Sequence, residues 1–116
     1  MNQQLSHQVV LAKAVLRAAN ILGLSEQRLK KVLKIYHSST IAELDPMSEA
    51  GQRALILIRI FQCLYSLSGS EERVIKKFML NNNNLTKGIP IEQIEQESGL
   101  IEVLEYIQSL SKQDFC

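Results

Sequence analysis

The sequence predicts an all-α single domain of six or seven helices packed around one central, largely buried helix. Three observations predict it. Residues 48–67 hold a nearly unbroken apolar run, Ala54-Leu55-Ile56-Leu57-Ile58-Arg59-Ile60-Phe61-Gln62-Cys63-Leu64-Tyr65-Ser66-Leu67. Its polar members Arg59, Gln62 and Ser66 recur at spacings of three and four, so they share one narrow helical stripe. The composition is 46% apolar but only 5% aromatic, with no Trp, which makes the core aliphatic. Helix-stopping residues then punctuate the rest of the chain: Gly23, Pro46, Gly69, the asparagines 81–84, Gly88, Pro90 and Gly99.

A chain of 116 residues forms one domain with a modest core. Residues 1–45 read as a helix-turn-helix-like N-terminal part and residues 46–116 as a second helical part of the same compact domain. The central helix starts after Pro46 with Ser48 as N-cap and Glu49 in its first turn, and Gly69 fits its end. A helix apolar nearly all round is expected to be buried nearly all round. It does not fit a membrane span, which needs about 20 largely uncharged residues. Arg53 and Arg59 interrupt the run.

The first helix covers residues 5–22, rich in helix formers, with Lys13 and Arg17 on one face. Gly23 stops it and Leu24 re-enters the core. Ser25-Glu26-Gln27-Arg28 matches the start of a second helix, with Leu29, Val32 and Leu33 inward and Arg28, Lys30, Lys31 and Lys34 outward. Ser38-Ser39 fit the cap of a short third helix through Thr40, Ile41, Ala42, Glu43 and Leu44.

Helix, turn, helix at this spacing is the framework of a helix-turn-helix, here degenerate. Its recognition helix offers Ser39, Thr40 and Glu43, where base readout wants Arg, Lys, Asn or Gln. The bases Arg28, Lys30, Lys31 and Lys34 lie on the preceding helix, suited at best to backbone phosphate.

Beyond the central helix, Ser70 is the expected N-cap of a helix whose apolar face is Val74, Ile75, Phe78 and Met79. The asparagines 81–84 predict a loop, anchored by Leu85. Pro90 is placed as the first residue of a short helix with Ile91 and Ile94 inward. The last helix carries Leu100, Ile101, Val103, Leu104, Ile107 and Leu110, followed by a tail, residues 111–116.

The net charge of +1 hides an asymmetry. Bases dominate up to Thr40, whereas residues 90–107 carry Glu92, Glu95, Glu97, Glu102 and Glu105 with no base among them. One end suits an anion and the other a basic partner. The bland alternative is two solvated helix faces.

Most enzyme chemistry finds no support. His7 and His37 have no ligand or base at productive spacing, no glycine-rich phosphate loop is present, and the glutamates do not converge as a catalytic pair. Neither a cofactor nor a metal is expected. Cys63 reads as inert packing on a buried helix, and with Cys116 makes no disulfide framework. With no basic segment leading an apolar one at the N-terminus, a reducing cytoplasm is the expected home. The glycosylation-like Asn84-Leu85-Thr86 is then incidental.

Leu85, Gly88, Pro90-Ile91-Glu92-Gln93-Ile94, Gly99, Val103-Leu104 and Ile107 recur in an order that resembles the C-terminal, toxin-binding domain of the Xre/MbcA/ParS antitoxins. That domain typically has an apolar helix ending near a Trp, a Pro-Asn turn, a Leu, a glycine-containing loop and Pro-Leu-Glu-Leu-Leu, with a Gly and then Val-Leu further along. The spacings from Leu85 to Pro90, Pro90 to Gly99 and Gly99 to Val103 match without a gap. The stretch Ala18-Ala19-Asn20-Ile21-Leu22-Gly23-Leu24-Ser25 is similar to the family's N-terminal part. Here Lys77 or Phe78 stands for the family Trp, Asn81-Asn82 for Pro-Asn, and Thr86-Lys87 for the double glycine.

The resemblance implies a bacterial type II antitoxin that occludes the active site of a RES-type toxin, one that consumes NAD or transfers ADP-ribose from it. Family members with a working N-terminal domain also bind operator DNA, often as homodimers. Carried onto this chain, the toxin-facing residues are Asn82, Asn83, Leu85, Lys87 and Gly88 in the loop, Tyr106 and Leu110 on the last helix, and Lys112, Gln113, Asp114, Phe115 and Cys116 in the tail. A cleft for a dinucleotide pyrophosphate is usually basic, and the acidic segment is complementary to it. Phe115 would insert in an apolar niche, and Asp114 with the terminal carboxylate would fill an anion site. A helix-turn-helix DNA-binding regulator and a self-associating helical scaffold are the alternatives.

Overall fold

Six α-helices and no strand make up residues 6–36 and 41–110, which the computed structural model describes. They are α1 (His7–Leu22), α2 (Glu26–Leu33), α3 (Glu49–Leu67), α4 (Glu72–Leu80), α5 (Pro90–Gln93) and α6 (Gly99–Gln108). The expected cap Ser38-Ser39 and the expected DNA contacts Ser39 and Thr40 lie outside the described residues, as do His37 and tail residues 111–116.

Short-range chemistry sets the helix starts. Ser6 Oγ accepts from the N–H of Val9, Ser25 Oγ from Arg28 and Ser48 Oγ from Gly51, each at 3.0–3.1 Å. Each hydroxyl satisfies one of the donors that a helix start leaves open. Gly23 ends α1 in the left-handed conformation at φ 94°, and the N–H of Leu24 closes on the carbonyl of Ala19 at 2.8 Å. Lys34 ends α2 in the same conformation at φ 61°, a position that normally favours glycine. The axis turns by 117° from α1 to α2.

Helix α3 is the centre of the molecule, packed chiefly against α1 on one side and α6 on another. Ala54, Leu57, Ile60, Cys63 and Leu64 of α3 join Leu22, Leu33, Ile75, Met79, Ile94, Leu100 and Ile107 in one aliphatic core. That core draws on every helix, so residues before and after 45 share it. The N–H of Leu44 also donates to the carbonyl of Gln8 at 3.0 Å.

Four expectations are corrected. Residues 41–45 form no helix. Ile41 and Leu44 are buried as single anchors, and the segment is too short to nucleate a turn before Asp45-Pro46, where the residue preceding proline avoids the helical region. Helix α3 is not buried all round. Arg59, Gln62 and Ser66 do form its exposed stripe, but Leu55 lies on that stripe, and Tyr65 and Leu67 are also exposed.

Ser70 does not cap α4: it adopts φ 70°, and Glu71 takes the N-cap position without a side-chain bond. The adjoining Gly69 is also left-handed at φ 65°, so the α3–α4 turn takes up the residue expected to start α4. Finally, Cys63 is buried but disulfide-bonded, so it is not an inert thiol. No described helix is long and apolar enough by itself to cross a membrane.

Candidate partner-binding surface

The segment from α4 to α6 forms a helix, a tight turn, a short helix and a helix. Asn81 closes α4 by donating its Nδ2 to the carbonyl of Lys77 at 2.7 Å. Asn83 then builds the turn. Its Oδ1 accepts from the N–H groups of Leu85 and Thr86 at 2.8 and 3.3 Å, the self-bonding habit that makes Asn a turn former. Its backbone pairs with Gly88 in an isolated antiparallel bridge, with its N–H 2.9 Å from the Gly88 carbonyl. Lys87 passes through φ 62° to close the loop and is exposed.

Thr86 is the buried residue of this turn, while Leu85 is only half-buried, so the expected anchor is displaced by one position. Thr86 Oγ1 donates to the Gly88 carbonyl at 3.2 Å, and its own carbonyl accepts from Gln93 Nε2 at 2.7 Å. The turn is thereby tied to α5. Pro90 opens α5 as expected, and Ile91 and Ile94 are buried below it.

Arg53 holds the next turn. This α3 side chain is buried, and its Nε donates to the carbonyl of Val32 near the end of α2. Its Nη1 reaches the carbonyl of Glu97 at 3.2 Å, and its Nη2 those of Ile94 and Gln96 at 3.4 Å each. The guanidinium fork thus serves carbonyls that the ends of two helices leave open, where a cation is also favoured by the helix dipole. Gly99 opens α6 so close to this turn that a Cβ there would come within 1.8 Å of the Gln93 carbonyl oxygen.

Outside this frame, Glu92, Glu97, Glu102 and Glu105 are exposed. Glu95 is not free: its Oε2 lies 3.1 Å from Arg28 Nε. Arg28, expected to face phosphate, therefore faces the protein's own acidic segment. Lys31 is exposed, while Lys30 and Lys34 are half-buried.

Of the expected partner contacts, Asn82 and Asn83 line a hollow with Val74, Lys77, Phe78 and Asn81. Leu110 lines an apolar groove with Leu64, Leu67, Val74, Ile75 and Phe78. The two depressions share Val74 and Phe78, which join the loop to the end of α6. Tyr106 is half-buried one helical turn before Leu110. Gly88 packs against the Gln93 side chain rather than facing outward, since a Cβ there would lie 2.7 Å from Nε2. Lys112, Gln113, Asp114, Phe115 and Cys116 lie outside the described residues.

Sequence reasoning missed Leu67 and Val74 as surface groups, while Phe78 packs on the core as expected and also borders both depressions. Val74 is 51% exposed and Leu67 43%, although both follow the apolar helical pattern of core positions. Among the described residues no three His, Cys, Asp or Glu side chains gather as a metal site requires. Comparison with known protein families and with curated proteins found no match to this sequence.

Proposed function

We propose that this chain is the antitoxin of a bacterial type II toxin–antitoxin pair, binding a RES-type toxin in the cytoplasm and occluding its NAD-consuming or ADP-ribosylating active site. The observation that carries the reading is the one-signed C-terminal segment: Glu92, Glu97, Glu102 and Glu105 all face solvent, and no base lies between Pro90 and Ile107. Such a surface is complementary to a cleft built for a pyrophosphate. The ordered resemblance from Leu85 to Ile107 supports it, because its residues fall on consecutive elements, the turn, α5 and α6. The groove next to Leu110 adds apolar area of the kind that anchors a partner.

Binding of operator DNA is the second reading, with exposed Lys31 its most available base.

The test expresses the neighbouring gene of the native operon alone, with the full chain, and with a chain ending at Leu110, while growth and cellular NAD are followed. The expected outcome is arrest and NAD loss from the neighbour alone, rescue by the full chain, and failure of the shortened one. A harmless neighbour, or none that co-purifies, overturns the reading. Salt-dependent binding of promoter DNA that Lys31→Glu abolishes would put the second reading in its place.

A further inference from the structure

We propose that two copies of this chain pair in solution, α4 of each lying antiparallel against α6 of the other. Two exposed helix faces of opposite charge and matching pattern carry the proposal. On α4, Arg73, Val74 and Lys77 face solvent, with Val74 51% exposed. On α6, Ile101, Glu102 and Glu105 face solvent, with Ile101 50% exposed. Each face thus holds one half-exposed aliphatic side chain beside two like charges about one helical turn apart. Among the described residues none of these four charges has an ion-pair partner in its own chain. Glu102 only accepts from the Ser98 hydroxyl, at 3.4 Å.

An antiparallel approach matches the charges. Setting Arg73 against Glu105 brings Lys77 against Glu102, since the bases are four residues apart and the acids three. Those spacings are about 6 and 4.5 Å along a helix, close enough for long side chains to meet. Ile101 then reaches past Lys77 toward the hollow that Val74 and Phe78 help to line. Glu71 and Glu72, the acids at the start of α4, fall beyond Glu105, opposite the uncharged Gln108 and Ser109. No like charges are set against each other in this register.

Each chain carries both faces, and both border one region: Leu110, just beyond α6, shares the apolar groove with Leu67, Val74 and Phe78. The α4–α6 contact is therefore made twice about one twofold axis, and the assembly closes at two copies. Pairing removes Leu67, Val74, Ile101 and Leu110 from water, each between 43% and 52% exposed in the single chain. A small aliphatic contact framed by solvated ion pairs suits a pair that forms and dissociates. The pairing itself requires no toxin. By the antitoxin reading, on which only this last step rests, the paired form covers Glu102 and Glu105, so toxin binding and pairing exclude each other.

The experiment uses the full chain alone, in reductant so that no disulfide adds to the mass. Sedimentation equilibrium over a concentration series should fit a monomer–dimer exchange. Arg73→Glu with Lys77→Glu should weaken the dimer about tenfold or more, and Glu102→Lys with Glu105→Lys should do the same. Mixing these two variants should restore a dimer of one of each, because the acidic α4 then meets a basic α6 and the acidic α6 a basic α4. Unfolding of dilute, dissociated chain should be the same for both variants, which separates loss of pairing from loss of fold. A chain monomeric throughout the series overturns the proposal and leaves the basic face to a partner of another sequence. Assembly beyond two copies, or variants that fail to pair with each other, overturns it as well.

Discussion

Arg28 Nε lies 3.1 Å from Glu95 Oε2, so the basic N-terminal part and the acidic C-terminal part of the chain neutralise each other where they meet. The pair is partly solvated, with side-chain exposures of 37% and 24%. A pair of that kind contributes about 0–1 kcal/mol and weakens with salt. A double-mutant cycle with Arg28→Ala and Glu95→Ala should give a coupling below about 1 kcal/mol that shrinks between low and high ionic strength. A coupling that grew with salt would deny the ion pair.

Arg53 is a different case because it is buried and its partners are backbone carbonyls. Arg53→Met keeps much of the apolar stem but leaves the carbonyls of Val32, Ile94, Gln96 and Glu97 without their donor. The expected loss is about 2–4 kcal/mol, measured as a fall in the urea midpoint with an unchanged slope. Arg53→Lys should recover only part of it, since one ammonium cannot reach both helix ends.

Two glycines should lose stability to different degrees and for different reasons. At Gly99 an added methyl meets the Gln93 carbonyl at 1.8 Å, a backbone atom that cannot swing aside. Gly99→Ala should therefore destabilise by more than about 2 kcal/mol through a forced shift of the α5–α6 turn. At Gly69 nothing lies within 4 Å, and only the left-handed backbone at φ 65° opposes a side chain. Gly69→Ala should lose about 1 kcal/mol. Denaturation curves of the two variants check the order.

On the proposed function, Glu102→Lys with Glu105→Lys should slow association with the toxin at least tenfold at low salt while leaving thermal stability within about 0.5 kcal/mol. Stopped-flow or surface-based kinetics at two ionic strengths would read this. An unchanged association rate would remove the acidic face from recognition.

Features decided within a few residues were readable from the sequence. Ser25 and Ser48 announced their helices because a cap bonds to a backbone N–H three positions on. Pro90 announced α5, and the asparagine run announced a turn. What required distant partners was not readable. Arg53 looked like an interruption of an apolar run, because nothing local says that its guanidinium meets carbonyls of α2 and of the α5–α6 turn. Leu55 and Val74 followed the core pattern, yet both are exposed, because α3 and α4 each carry more apolar surface than the other described helices cover. For the candidate surface, the acidic face was visible as charge, and the groove that ends at Leu110 was not.

The reach of Arg53 to Val32 also bears on how such a chain can evolve. A boundary at residue 45 invites the picture of two interchangeable cartridges, one for a nucleic acid and one for a protein. Shuffling at that seam would remove the carbonyl that orients Arg53, and with it the brace under the α5–α6 turn. The two portions therefore share one brace and are not structurally independent. Drift in the front portion, even after any role there is lost, stays constrained by what the rear portion leans on.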